Sequence, residues 1–262
     1  MQTVLISGAS SGIGEALAQR FASEGYNLVL VARTRTKLEQ LAQQFREEYA
    51  IQVWVEPCDL SRKTTAKKLA ASLTQQKIVV DILVNNAGVL EHGNFTEIGT
   101  TAKQRLIDLN ISGLTSMLDQ FLPDMVARGR GRILNVASIA AFQPIPTLAV
   151  YAATKAYVLS LSESLSEELK QSGVTVTALC PGITATNMVA AVQQSSPELK
   201  KIPGFAIGDV DNVAQEGFEA CLKGDVICVP GAVNLALTVA GRAVPKWFVR
   251  RVSGIVSRYS SK

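Results

Sequence analysis

The sequence predicts a doubly wound α/β fold, with helices on both faces of a parallel sheet of about seven strands. Short apolar runs alternate with longer polar, helix-forming stretches along most of the 262 residues. The runs are rich in Val, Ile and Leu without polar alternation, as expected for strands buried on both faces. The stretches between them are long enough for the crossover helices that parallel strands require. The seven predicted strands are 3–7, 27–32, 51–56, 81–85, 132–137, 174–180 and 226–229.

One domain accounts for residues 1–230, because no linker, low-complexity segment or change of composition interrupts this part of the chain. Residues 231–262 contain six Lys or Arg residues and no acidic residue, whereas the whole chain has a net charge of +4. The body is therefore mildly acidic, and we expect no nucleic-acid partner. The extension is predicted to be a basic amphipathic helix that either packs on the protein or a partner subunit, or contacts an anionic membrane.

Composition limits the classes of protein and site that remain. Hydrophobic residues make up 47% of the chain and charged residues 18%, which excludes a disordered chain. The four cysteines, Cys58, Cys180, Cys221 and Cys228, are too few and too scattered for a disulfide framework or a zinc site. We therefore expect free thiols and no metal. No apolar run reaches about 18 residues and no secretory signal is visible, so we expect the cytoplasm as the location.

A glycine-rich turn links the first predicted strand to the first predicted helix. Glycine allows a sharp turn and a close approach to a pyrophosphate, and the helix N-terminus offers unpaired N–H groups to phosphate oxygens. The spacing is G-x-x-x-G-x-G, which differs from the usual dinucleotide fingerprint but has the required position between strand and helix. The candidate phosphate-binding residues are Gly8, Ser10, Ser11, Gly12, Ile13 and Gly14.

The same residues also match G-x-S-x-G, the nucleophile elbow of α/β-hydrolases. In that reading Ser10 would be the nucleophile and His92, the single histidine, would be the base. A hydrolase needs an oxyanion loop upstream of the nucleophile, with an acid and then a histidine downstream. Because Ser10 has only nine residues before it, the hydrolase interpretation is the weaker of the two.

The end of the second strand bears on the choice of cofactor. NAD-binding sites commonly place a carboxylate about 20 residues after the glycines, where it binds the ribose 2′-hydroxyl. Here the segment 31–36 contains Arg33 and Arg35 and no acid. The Arg33 guanidinium suits a 2′-phosphate, to which Ser10 could add a hydroxyl, so NADP(H) is favoured over NAD(H). The alternative is that both arginines are merely solvated.

Tyr151 and Lys155 lie four positions apart in a predicted helix over 149–170, so they share one helix face. A nearby ammonium favours the phenolate, and we expect Lys155 to lower the pKa of Tyr151 from its usual value of about 10. A tyrosine with such a pKa can exchange a proton near neutral pH. An ordinary surface pair is the alternative.

Further motifs follow the later strands in order. Asp59-Leu60 comes after the third strand, and Asn85-Asn86-Ala87-Gly88 ends the fourth. Together with the turn and the Tyr-x-x-x-Lys pair, they make residues 1 to about 230 resemble the short-chain dehydrogenase/reductase family. The family fold is a Rossmann-type sheet, and the resemblance implies a dinucleotide-binding and catalytic domain. It implies that the cofactor is held, beside the turn and the pair, by Asp59, Leu60, Asn86, Ala87, Gly88, Pro181, Gly182, Ile183 and Thr186.

The resemblance also implies a catalytic mechanism. A hydride passes between the nicotinamide and a carbonyl carbon while Tyr151 donates or accepts the proton. Ser138 would bind the substrate oxygen. Lys155 would hold the nicotinamide ribose, and Asn110 would hold a water that links Lys155 to solvent. For Asn110, an ordinary core asparagine remains the alternative.

Substrate and assembly are less well determined. Residues 187–208 correspond to the variable substrate lid of the family, and their apolar content suits a hydrophobic ketone or a 3-oxoacyl compound. A homodimer or homotetramer is implied by the resemblance alone. A non-catalytic dinucleotide-binding regulator on the same fold is the second function class, since a fold does not establish an activity.

Overall fold

The computed structural model describes residues 1–186 and 207–243, and the predicted parallel sheet with helices on both faces is confirmed. The strands are β1 (Thr3–Ser7), β2 (Asn27–Ala32), β3 (Val53–Pro57), β4 (Ile82–Asn85), β5 (Gly131–Val136), β6 (Val174–Leu179) and β7 (Ile227–Cys228). They lie in the order β3-β2-β1-β4-β5-β6-β7, and all neighbouring strands are parallel. The predicted boundaries are correct within two residues.

Helices connect these strands across both faces of the sheet. The α-helices of the described residues are α1 (Gly12–Ser23), α2 (Arg35–Tyr49), α3 (Thr65–Gln75), α4 (Thr100–Ile107), α5 (Leu114–Ala127), α6 (Ala149–Glu168), α7 (Val210–Lys223) and α8 (Ala232–Ala243). A π-helical turn, Asp108–Gly113, joins α4 to α5, and a short 3₁₀ turn, Ile139–Ala141, follows β5.

Two apolar clusters hold the layers together, one on each face of the sheet. On one face, α1 and α7 meet through an edge-to-face contact between Phe21 and Phe218, whose ring centroids are 4.9 Å apart. On the other face, Leu73, Met117 and Val158 pack over the strands from α3, α5 and α6. Each such fully buried side chain contributes about 1.5–3 kcal/mol to folding. The two clusters hold the carboxyl ends of the strands in fixed positions.

The strand order reverses between β1 and β4, since the chain runs outward to β3 before it returns beside β1. The loops that follow these two strands leave in opposite directions and open a crevice at the carboxyl edge of the sheet. In open α/β folds, this crevice is where ligands bind.

The predicted substrate lid, 187–208, lies almost wholly outside the described residues, which resume at residue 207. The basic extension, 231–262, is described as far as Ala243, where it is helical, and its remainder lies outside them. In the two described ranges, no helix combines the length and the apolar character needed to cross a bilayer.

Candidate active site

A cleft of about 520 Å³ lies at the carboxyl edge of the sheet, beside β1 and β4. Every site residue predicted from the sequence lines this cleft, with the exception of Gly14 and Asn110. Those two residues lie behind its surface, where each contacts the backbone of a lining loop. The sequence analysis missed several lining residues of the cleft, most of them apolar: Cys58, Val89, Leu90, Arg105, Leu109, Ile145, Leu148 and Thr184.

The glycine-rich turn forms one wall of the cleft and depends on the absence of side chains. Gly8 and Gly12 have φ angles of +70° and +57°, in the left-handed region that favours glycine. A Cβ at Gly14 would overlap the amide nitrogen of Asn86 and the carbonyl oxygen of Gly8. Helix α1 begins at Gly12, and the side chain of its N-cap, Ser11, makes no capping hydrogen bond. The first N–H groups of α1 can therefore bind an anion in the cleft.

Ser7 and Asn86 join this turn to the loop after β4. The buried Ser7 hydroxyl donates to Val84 O over 3.2 Å and accepts from the N–H groups of Asn86 and Ala87 over 3.0 and 3.1 Å. In return, Asn86 Nδ2 donates to the carbonyl oxygens of Ser7 (2.9 Å) and Gly8 (3.2 Å). The two loops at the crevice are thus one hydrogen-bonded unit. No sequence motif indicates the hydrogen bonds that Ser7 makes.

Arg33 and Asp59 mark the outer end of the cleft. Arg33 is exposed just beyond β2, and both residues line the cleft. Burial raises the pKa of the Asp59 carboxyl, but hydrogen bonds from Ser61 and the positive charges of Arg33 and Arg62 outweigh it and leave that pKa below its usual value. Ser61 donates to the same carboxylate oxygen from its N–H at 3.1 Å and from its hydroxyl at 2.7 Å. This end therefore presents a fixed carboxylate beside a guanidinium.

Ser138, Tyr151 and Lys155 meet at the inner end of the cleft. Ser138 caps the 3₁₀ turn after β5, where its Oγ accepts from Ala140 N over 3.1 Å and donates to Pro181 O over 3.5 Å. The same hydroxyl lies close enough to the Tyr151 phenol to lower its pKa. Tyr151 lies in the first turn of α6 and Lys155 one turn later. The Lys155 Nζ donates to Val136 O over 2.8 Å and lies 5.8 Å from the centroid of the Tyr151 ring.

The expected lowering of the Tyr151 pKa by Lys155 is wrong for this structure. Burial raises the pKa of the phenol, and the hydrogen bond with Ser138 opposes that effect only in part. Burial also acts on Lys155, whose pKa it lowers to about 8. Both shifts have the same physical cause, because a poorly solvated site favours the neutral form of either group.

Asn110 lies in the π-helical turn and is 2% exposed. Its Nδ2 donates to Val89 O (2.9 Å) and to Thr154 Oγ1 (3.1 Å), and its Oδ1 accepts from Val89 N over 2.9 Å. A Cβ at Gly88 would lie 3.2 Å from this Oδ1 and 3.6 Å from Lys155 Nζ, so both atoms lie beside Gly88. Asn110 thus ties the loop after β4 to helix α6, and its oxygen faces the same space as the Lys155 ammonium.

The segment after β6 lines the cleft and reaches the glycine-rich turn, where the Thr186 side chain lies 3.1 Å from the position of a Cβ at Gly12. A Cβ at Gly182 would lie 2.6 Å from the side-chain amide of Asn234, so α8 packs directly on this segment. Thr184 forms a parallel bridge with Gly208, in which Gly208 N donates to Ile183 O over 2.7 Å. The two ends of the predicted lid are therefore joined beside the cleft. Among residues 1–186 and 207–243, no cluster of three potential metal ligands exists.

Comparison with known proteins assigns the family. A family model described as short chain dehydrogenase matches residues 2–197. An uncharacterized oxidoreductase of Staphylococcus epidermidis is 33% identical over 208 residues, which are 79% of this chain and 88% of the relative. A second, from Staphylococcus aureus, is 34% identical over 191 residues, or 73% of this chain and 81% of the relative.

Two solved structures agree with this assignment. A short-chain dehydrogenase from Sphingobium yanoikuyae in complex with NADPH is 34% identical, with a TM-score of 0.81 and 88% of each chain covered. The bulky-bulky ketone specific alcohol dehydrogenase from Comamonas testosteroni is 30% identical, with a TM-score of 0.78 and coverage of 93% of this chain and 92% of that one. The hydrolase alternative is therefore wrong. The chain belongs to the short-chain dehydrogenase/reductase family of oxidoreductases, which act on alcohol and carbonyl groups.

Proposed function

We propose that this protein is an NADPH-dependent reductase of hydrophobic ketones or 3-oxoacyl compounds, with Tyr151 as the proton donor. The observation that carries the proposal is the convergence of Ser138, Tyr151 and Lys155 at one end of a cleft whose other end presents Arg33. A proton donor and a phosphate-binding cation thus stand at opposite ends of one cavity. The reverse oxidation of a secondary alcohol uses the same groups.

The cleft fits an extended nicotinamide dinucleotide. The side-chain-free turn leaves room for a pyrophosphate next to the N-terminus of α1, and Asp59 and Leu60 border the place for an adenine. Arg33 binds a 2′-phosphate, for which its guanidinium is suited. The loop 86–88 and the segment 181–186 hold the riboses and the nicotinamide. When bound, NADPH supplies the hydride that reduces a carbonyl carbon. The Sphingobium relative, which was solved with NADPH, supports this choice of cofactor.

The residues at the inner end have separate tasks. Tyr151 donates its proton to the substrate oxygen, and the raised pKa of its phenol keeps that proton in place at neutral pH. Ser138 donates a hydrogen bond to the same oxygen and stabilises the charge that develops on it. With a pKa of about 8, Lys155 is mostly an ammonium at pH 7, and it binds ribose hydroxyls. Asn110 Oδ1 and Lys155 Nζ both lie beside Gly88, and this proximity supports a role for Asn110 in holding a water that resupplies the proton.

The walls that enclose the inner end of the cleft support the proposed substrate class. Val89, Leu90, Ile145 and Leu148 line the cleft there, and all four are apolar. Apolar walls with a few convergent polar groups favour a hydrophobic ligand with one polar centre. The Comamonas relative, which is specific for bulky-bulky ketones, supports this class.

The cofactor choice is tested by titration of the purified protein with NADPH and with NADH, followed by fluorescence. Arg33→Ala is expected to weaken NADPH binding by about 10- to 100-fold, the usual range for one charged hydrogen-bonding group, and to leave NADH binding unchanged. Arg35→Ala is the matched control, because Arg35 is exposed nearby, pairs with Glu39 and does not line the cleft. Equal weakening in both variants, or a preference of the wild type for NADH, would refute the assignment of Arg33.

The catalytic role is tested with Tyr151→Phe, which removes only the phenolic oxygen. Turnover of a bulky ketone should fall by at least about a hundredfold while NADPH affinity stays the same. Tyr157→Phe is the control, since Tyr157 lies on the same helix with its hydroxyl bonded to Thr115. A wild type that binds NADPH but reduces no ketone would favour the regulator, and an active Tyr151→Phe variant would refute the assignment of Tyr151.

We also propose that the protein works in the cytoplasm as a homodimer or homotetramer. The exposed Ile107 and Tyr157, from α4 and α6, support contact between subunits. The basic extension has two proposed roles: it packs on the protein, or it makes peripheral contact with anionic membranes. Light scattering tests the assembly, and flotation with phosphatidylglycerol vesicles, with and without residues 244–262, tests the membrane contact.

A further inference from the structure

Thr147 has an unusual backbone conformation close to the catalytic tyrosine. Its φ angle is +64°, in the left-handed region that β-branched residues rarely adopt. It directly precedes Leu148, which lines the cleft and caps the helix that carries Tyr151. A strained residue persists only where its surroundings impose the conformation, and such residues concentrate at functional sites.

Three hydrogen bonds hold Thr147 in this conformation. Its carbonyl oxygen accepts from Gly93 N over 2.9 Å, and its hydroxyl donates to Pro146 O over 2.6 Å. The same hydroxyl lies 3.0 Å from His92 Nε2. Two of the three partners come from the loop after β4, so that loop and the loop before α6 are joined at this point.

The direction of the bond between His92 and Thr147 follows from proton counting. A threonine hydroxyl has one hydrogen, and the hydroxyl of Thr147 gives it to Pro146 O. When the hydroxyl hydrogen points to Pro146 O, His92 Nε2 carries a hydrogen and donates it to Thr147 Oγ1. The neutral imidazole with its proton on Nε2 and the imidazolium can both do so.

We propose that His92 is a positioning residue for the substrate, which acts through Thr147. The bond fixes the cleft wall that contains Ile145 and Leu148 relative to the facing wall of Val89 and Leu90. The spacing of these two apolar walls sets the fit of the ketone beside Tyr151. The inference rests on the proposed function, and it adds the residue that fixes the width of the part of the cleft where the substrate would bind.

Steady-state kinetics with a bulky ketone test the proposal through the separation of KM from kcat. His92→Ala should raise KM by about three- to tenfold, as expected for the loss of one hydrogen bond, with kcat and NADPH affinity little changed. His92→Gln should restore KM, because its amide nitrogen reaches the position of Nε2. His92→Asn is the matched control, because its shorter amide reaches only the position of Nδ1, and it should behave like His92→Ala.

A general-acid role for His92 would give a different pattern, with a fall in kcat, an altered pH profile and no rescue by glutamine. That pattern, or an unchanged KM in His92→Ala, would overturn the proposal. If the wild type reduces no ketone, the proposed function fails. The bond between His92 and Thr147 is then tested by a measurement that does not require turnover. His92 is the single histidine, so ¹⁵N NMR of the ring reports its tautomer directly. A proton on Nε2 is expected, and a neutral ring protonated only on Nδ1 would refute the donation from His92 to Thr147 on which the proposal rests.

Discussion

The buried ammonium of Lys155 makes a measurable contribution to the pH dependence of folding. Lys155 is 6% exposed, and burial lowers its pKa from 10.5 to about 8. Below pH 8, Lys155 keeps its charge in the folded protein, and the poor solvation of that charge destabilises the folded state. Between about pH 8 and 10.5, the folded protein has released the proton while the unfolded chain still holds it. Because the unfolded state then binds more protons, the Lys155 contribution makes the protein more stable as the pH rises.

The size of this effect follows from the two pKa values of Lys155. Linkage between proton binding and folding gives a destabilisation by Lys155 of about 3 kcal/mol at pH 7 and about 1 kcal/mol at pH 10. The difference in unfolding free energy between the wild type and Lys155→Met should therefore change by about 2 kcal/mol over this range. Other groups, among them the buried Tyr151 phenol, titrate in both proteins and largely cancel in the difference.

Urea unfolding of both proteins at intervals between pH 7 and 10, followed by circular dichroism, measures this difference. Lys68→Met is the control for the loss of one lysine, because Lys68 is exposed on α3. A difference between wild type and Lys155→Met that stays constant within about 0.5 kcal/mol would contradict the argument, since linkage requires a slope wherever the pKa changes on folding. A slope of opposite sign would mean that a negative charge near Nζ outweighs burial.

Two further substitutions test the loops around the cleft. Asn110→Ala removes the three hydrogen bonds to Val89 and Thr154. The unfolding free energy, measured in urea, should therefore fall by about 2–4 kcal/mol. A loss below about 1 kcal/mol would contradict the argument that Asn110 joins the loop after β4 to α6. Gly14→Ala forces a Cβ into the turn and should abolish NADPH binding in a fluorescence titration. Gly99→Ala is its control, because no atom lies within 4 Å of a Cβ there, and equal effects of both glycine variants would refute the steric argument.

The sequence was sufficient to predict the fold and most of the cleft lining. Period and composition place the strands, because residues buried on both faces of a parallel sheet must be apolar over the whole strand. The turn from Gly8 to Gly14 could be recognised because its conformation excludes other residue types, and the structure places these positive φ angles at Gly8 and Gly12. The residues along the carboxyl edge then follow from topology, since parallel strands all end there.

The contacts behind the cleft surface had no comparable signal. The Ser7 hydroxyl accepts from the backbone N–H groups of Asn86 and Ala87, which lie about 80 positions later in the sequence. Thr147 resembles an ordinary loop residue in the sequence, yet it is strained because two distant residues, His92 and Gly93, bond to it. Local propensity describes one residue and its neighbours, so conformations imposed by long-range contacts stay outside its reach.

The Tyr151–Lys155 pair shows most clearly where inference from spacing stops. A separation of four residues correctly puts Tyr151 and Lys155 on one face of α6, but spacing does not determine how water is excluded from that face. Burial moves the pKa of Lys155 down and that of Tyr151 up, so the fold favours a neutral phenol. A protonated phenol suits the direction in which a carbonyl is reduced, because that reaction needs a donor. Oxidation of an alcohol instead needs the phenolate, so the same burial should make it the more pH-sensitive direction, with a rate that rises toward alkaline pH.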